Sequence, residues 1–94
     1  MLNITYDPAK DASNRVKHDV SLALAHELEW DTLLCMPDTR RDYGEARQIG
    51  YAIAGYRLYC LVFVDRPSGA PTERRIISLR KANSREVKRY EDNS

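Results

Sequence analysis

Residues 56–65, YRLYCLVFVD, constrain the fold more than any other stretch of this 94-residue chain. Side chains on an extended backbone alternate between faces. Leu58, Cys60, Val62 and Val64 therefore share one side, and Tyr59, Leu61 and Phe63 the other. Both sides are apolar, so this strand belongs in the middle of a sheet that is covered front and back. Turn signals bound it. Ala54-Gly55 is short enough for a tight hairpin, and residues 66–72, RPSGAPT, hold two prolines that keep a longer loop from pairing. Runs at 32–36, 46–53 and 73–80 complete an antiparallel meander, and residues 2–6 read as a short first strand.

Helices fill the gaps. Asp7-Pro8 supplies an N-cap and a ring-locked first helical residue for a helix over 8–17. Its apolar positions Ala9, Ala12 and Val16 recur at helical spacing, which predicts that this stripe lies on the sheet. Ser21 caps a second helix over 22–28, with Val20 placed to staple onto Ala25. Asn83 followed by Glu86 has capping-box spacing and starts a C-terminal helix. The fold class is α+β: an antiparallel sheet with two N-terminal helices and one C-terminal helix, in a single domain over 1–94. No stretch reaches the roughly twenty apolar residues of a bilayer span, and the first residues lack a basic start followed by an apolar core. A cytoplasmic protein with no membrane partner is expected. Cys35 and Cys60 each sit in an apolar run, which predicts buried free thiols in a reducing compartment.

Charge is segregated. Residues 74–89 hold seven Lys/Arg against one acid, a local charge of +6, while the rest of the chain carries −5 and the total is +1. This asymmetry points to a polyanion or an acidic protein as partner. On the strand over 73–80, strict alternation puts Ile76, Ser78 and Arg80 on one face and Arg75, Ile77 and Leu79 on the other. With Ile77 and Leu79 toward the helices, Ser78 and Arg80 lie on the open face, where a phosphate accepts two hydrogen bonds from a guanidinium. Arg75 joins them only if the strand carries a bulge; otherwise it works at the sheet margin.

The segment DPAKDASNRVKH, the central YGEAR and the basic RRIISLRKANSREVKRY, in this order, resemble the BrnT family, toxins of bacterial type II toxin-antitoxin pairs. The resemblance implies a small RelE-like fold, ribonuclease activity and neutralisation by an antitoxin called BrnA. It carries functional weight onto Lys17, His18, Glu45, Arg47, Arg66, Arg80 and Tyr90. Two positions depart from the family pattern. Asp19 stands where glycine is usual after Lys-His, and Thr5 stands where the family tends to have a carboxylate.

Metal-free RNA cleavage needs a base for the 2′-hydroxyl, an acid for the leaving oxygen and cations for the charge gathering on phosphorus. A carboxylate and an imidazole can each accept that proton, so Glu45 and His18 are the candidate bases. Arg47, Arg66 and Arg80 stay protonated and suit a phosphate clamp. Arg75, Ser78, Lys81, Arg85, Lys88, Arg89 and Tyr90 extend the expected RNA surface. Structural readings stand beside these. His18 at a helix end also suits bonding terminal carbonyls, Glu45 and Arg47 suit a cross-turn ion pair, the α-helical cations suit a solvated face, and Tyr90 suits packing on Val87. His26-Glu27 lacks a second histidine at zinc spacing, so neither a metal nor another cofactor is expected. Two functions follow: a metal-independent endoribonuclease toxin that inhibits translation, or a non-catalytic subunit that pairs with an antitoxin and meets operator DNA only as that complex.

Overall fold

The computed structural model describes residues 2–93. In chain order it has β1 (Asn3–Thr5), α1 (Pro8–His18), a 3₁₀ helix (Leu22–Glu27), β2 (Glu29–Pro37), β3 (Gln48–Ala54), β4 (Arg57–Arg66), β5 (Glu73–Lys81) and α2 (Ser84–Asp92). The five strands form one sheet in the order β1-β5-β4-β3-β2. The fold is α+β, but the sheet is mixed rather than antiparallel: β1 runs parallel to β5. Hairpins force the direction of β3, β4 and β5, whereas β1 meets β5 from the far end of the chain and no turn dictates its sense.

Local chemistry sets the helix starts. The Asp7 carboxylate accepts from the Ala9 amide at 2.9 Å, ahead of Pro8. The Ser21 hydroxyl accepts from the Ala23 amide at 3.1 Å. That second helix is a six-residue 3₁₀ segment, because Leu28 is already extended and feeds β2. Asn83 and Glu86 close the expected reciprocal capping box.

The central strand β4 is buried on both sides as expected. Leu61 and Phe63 enter a core with Val20, Leu22, Ala25, Leu28, Ala52, Ile76 and Leu79, while Leu58, Cys60, Val62 and Val64 are buried on the opposite face. The alternation expected for β5 does not hold. Val62 pairs with Ser78, but Phe63 pairs with Ile76, so Ile77 is an extra residue in β5. This bulge sends both Ile76 and Leu79 into the core, where neither is exposed. It also places Arg75, opposite Val64, on the same face as Ser78 and Arg80.

α1 is turned about its axis relative to the sequence expectation. Ala9, Ala12 and Val16 face out, with Val16 88 % exposed, and Asn14 is the buried residue. The cause is the sheet edge. β1 pairs with β5 only as far as Arg75, and beyond it the Asn14 amide bonds the Leu79 backbone in place of a strand.

Candidate nucleic-acid interface

That orientation of α1 opens a cleft of about 270 Å³ between the helix and the sheet face. Lys10, Ser13, Lys17 and His18, spaced to share one helix side, form one wall. Ile77 and Ser78 of β5 and Val62 of β4 form the floor, and Asp38, Arg40 and Arg47 from the β2–β3 connection close it. The side chains of Lys17 and His18 make no hydrogen bond or ion pair to another described residue.

The connection is folded by its own charges. Asp38 donates its amide to the Arg47 carbonyl at 2.8 Å, and its carboxylate receives Arg40 Nε and Nη2, each at 2.8 Å. The Arg40 guanidinium holds the Asp38 carboxyl well below the usual carboxylate range. The cleft's one carboxylate is thereby spoken for, and its other ionisable groups are basic. Arg47 lies over the Tyr43 ring, 4.1 Å from its centroid, a cation–π contact that fixes the guanidinium plane. Its Nε is buried and has no hydrogen-bond partner among the described residues. An orphaned buried donor is costly, which marks the place where an acceptor would be most rewarded.

Arg66, Arg75 and Arg80 share the sheet face, but each meets a carboxylate. Arg66 Nη2 donates to Glu45 at 2.8 and 3.1 Å, Arg75 lies 3.8 Å from Glu73, and Arg80 grips Glu86 through two bonds of 2.9 Å. Glu45 therefore pairs with Arg66 rather than with Arg47. Both Glu45 and Arg47 precede β3, so strand alternation does not govern them. Lys81 sits opposite Tyr59, on the other side of the sheet from Ser78 and Arg80. Arg85, Lys88 and Arg89 are exposed on α2. Tyr90 does more than pack: its hydroxyl donates to the Thr32 carbonyl and ties α2 to β2.

Seven residues lining the cleft, among them Lys10, Ser13, Asn14, Asp38 and Arg40, are absent from the site residues expected from the sequence. Lys10 and Ser13 were within reach of sequence reasoning, because they stand seven and four positions before Lys17 on one helix. Asp38 and Arg40 enter only through the loop's own folding.

Residues 6–86 match the family model of the ribonuclease toxin BrnT of type II toxin-antitoxin systems. The chain belongs to the BrnT toxin family. The crystal structure of the Brucella abortus ribonuclease toxin BrnT is similar in fold, with a TM-score of 0.65 and 20 % identity over 89 % of this chain and 100 % of that one. No curated protein sequence matches.

Against the BrnT pattern, the two departures have concrete outcomes. Asp19 adopts the left-handed conformation, φ 58° and ψ 33°, and donates its amide to the Arg15 carbonyl, so the helix ends as a glycine would end it. Thr5 donates to the carboxylate of Glu73, the residue that also faces Arg75, so Glu73 supplies an acid beside the position where the family tends to carry one. Of the two thiols, both free, Cys60 is buried and its pKa is raised by that burial. Cys35 is exposed, contrary to expectation, because the last residues of edge strand β2 lie open to solvent.

Proposed function

We propose that this BrnT-family chain is a metal-independent endoribonuclease whose scissile phosphate lies in the α1–sheet cleft. The convergence of Lys10, Lys17, His18, Arg40 and Arg47 on one cleft carries the reading. A phosphate there is surrounded by Lys10, Lys17, His18 and Arg40, and a turn of the Arg47 side chain on the Tyr43 ring brings its sealed, unpartnered Nε onto a phosphate oxygen. Divalent cations call for free oxygen ligands, and Asp38, the carboxylate of this cleft, is committed to Arg40; this supports cleavage without metal.

In the proposed reaction His18 takes the 2′-hydroxyl proton, the 2′-oxygen attacks phosphorus, and the 5′-oxygen leaves with a proton returned by His18 or Lys17. His18 suits this exchange because an imidazole carries one nitrogen that can accept a proton and another that can donate one. Glu45, the other candidate base, is engaged by Arg66 outside the cleft. Arg47 stabilises the charge on the phosphorane, and Arg80, two residues along β5 from Ser78, extends the phosphate track by about 7 Å. The physiological reading is a cytoplasmic toxin that arrests translation. Its partner is a BrnA-like antitoxin whose acidic surface covers these cations, with operator DNA bound by the pair alone.

The test is degradation of RNA by purified protein in excess chelator. Wild type is expected to cleave, and Arg47→Ala and His18→Ala to lose about 10²-fold or more, the scale for a charge-stabilising or proton-transferring group. Cleavage that vanishes with chelator overturns metal independence. Undiminished cleavage by Arg47→Ala overturns the cleft assignment, and no cleavage by wild type favours the non-catalytic binding subunit.

A further inference from the structure

The arginines of this protein differ in which edge of the guanidinium they commit. Arg40 and Arg74 spend the Nε/Nη2 edge on Asp38 and Asp65. Arg80 instead presents its end, with Nη1 to Glu86 Oε1 and Nη2 to Glu86 Oε2, each at 2.9 Å, and Nη1 also donates to the Lys81 carbonyl at 3.2 Å. Both Nη1 hydrogens are thus used. The Nε hydrogen and one Nη2 hydrogen have no partner among the described residues, and this Nε, unlike that of Arg47, is not sealed from solvent. Those two hydrogens form the side-on fork that matches two phosphate oxygens.

Glu86 is built to stay still. Its side chain is 10 % exposed. Beyond Arg80, Oε1 accepts the Asn83 amide at 2.9 Å and Oε2 the Tyr51 hydroxyl at 3.1 Å. One carboxylate is therefore held by the helix cap, by a strand tyrosine and by the arginine itself. The Glu45–Arg66 pair, with both partners a third or more exposed, has no comparable support. An arginine gripped by a fixed anchor loses little rotamer freedom when it meets a ligand.

We propose that Glu86 is a positioning residue: it holds Arg80 end-on so that the open Nε/Nη2 edge receives the RNA phosphate next to the one in the Arg47 cleft. This rests on the cleft reading above. Glu86 acts through Arg80 and touches no substrate.

The test pairs a kinetic cycle with a binding readout that needs no cleavage. Glu86→Gln keeps a capping-box residue at its position but loses the two-oxygen grip. It is expected to lower kcat/KM for RNA about tenfold, and to change it less than twofold in an Arg80→Ala background. Tyr51→Phe, which loosens Glu86 without touching the cap, is expected to lose a few-fold and to be equally silent without Arg80. A general structural role would instead depress both backgrounds alike, and that result, or a gain in activity with Glu86→Gln, overturns the proposal. In parallel the Arg80 Nε–H resonance is followed by NMR while an all-deoxy oligonucleotide, which lacks the attacking hydroxyl, is added. A shift in wild type that is lost in Glu86→Gln supports the proposal. No shift in wild type overturns it, whether or not RNA is cut, whereas a shift without any cleavage sinks only the catalytic reading.

Discussion

Asn14 and Leu79 exchange two hydrogen bonds as paired strand residues do: Asn14 Nδ2 donates to the Leu79 carbonyl at 2.7 Å, and its Oδ1 accepts the Leu79 amide at 3.2 Å. The same Nδ2 donates to the Val20 carbonyl at 2.8 Å. One side chain closes the edge of β5 where β1 stops and fixes the turn after α1. Asn14→Ala strands three buried backbone groups and is expected to cost about 2–4 kcal/mol. Val16→Lys, on the outer side of the same helix, is expected to stay within about 0.5 kcal/mol of wild type. Urea unfolding of both variants checks the pair. A small loss for Asn14→Ala alongside a large one for Val16→Lys would show that α1 docks through its alanines after all.

Asp19 at φ 58° holds a conformation that crowds any side chain, and its carboxylate stands at the negative end of α1. Asp19→Gly relieves both and is expected to stabilise the protein by about 0.5–1 kcal/mol. Thermal unfolding at neutral pH reads the change as a higher Tm. An unchanged or lower Tm would mean that the aspartate side chain contributes something that glycine cannot.

Parts of this architecture were legible in the residues because they are decided locally. Asp7-Pro8, Ser21 and the Asn83/Glu86 pair name helix starts through their own side-chain chemistry, and a strand apolar on both faces can only be central. The errors share a cause in tertiary context. Ala9, Ala12 and Val16 form a good apolar stripe, yet the sheet edge asks α1 for a hydrogen-bonding amide, and satisfying the Leu79 backbone outweighs burying two methyls and a valine. The Ile76-Ile77 pair suits either face equally, so composition does not mark the bulge that brings Arg75 round to Ser78 and Arg80. Of the cleft residues, Lys17, His18 and Arg47 were named through the family resemblance and Ser78 through strand alternation, but neither route placed the four together. The loop that turns Arg47 onto Tyr43 and sends Glu45 to Arg66 is folded by contacts that no periodicity encodes.

Stability should carry an acid limb set partly by Glu86. The two bonds from Arg80, then the cap amide and Tyr51, bring its pKa from an ordinary 4.5 down to about 2. A carboxyl with a depressed folded pKa binds its proton more readily in the unfolded chain. Its contribution is therefore complete above about pH 4.5 and is lost as pH falls toward about 2. Asp38, also held low, adds in the same direction. Denaturation midpoints measured from pH 6 to 2 should fall for wild type and fall less steeply for Glu86→Gln. Parallel curves for the two proteins would show that the Arg80 pair does not set this limb.

Arg74 belongs to the basic stretch by sequence but not by geometry. Residue 74 faces Asp65 on the core side of the sheet, its Nε and Nη2 donate to that carboxylate at 2.8 and 2.9 Å, and its guanidinium lies 4.6 Å from the Phe63 ring centre and 4.9 Å from that of Trp30. The side chain is a lid on an aromatic pair, and its charge is neutralised in place. Arg74→Ala removes two cation–π contacts and leaves Asp65 half-buried without a partner. The expected cost is about 1–3 kcal/mol in stability, with affinity for a short RNA unchanged within twofold. Lys10→Ala should behave in the opposite way. Lys10 is exposed on α1 at the mouth of the cleft, so stability holds while the slope of log affinity against log salt flattens by about 0.7, the loss of one phosphate contact on a single strand. Unfolding curves and salt titrations of both variants decide the matter. RNA affinity that falls with Arg74→Ala in a protein still folded would place the polyanion track on the wrong face of the sheet.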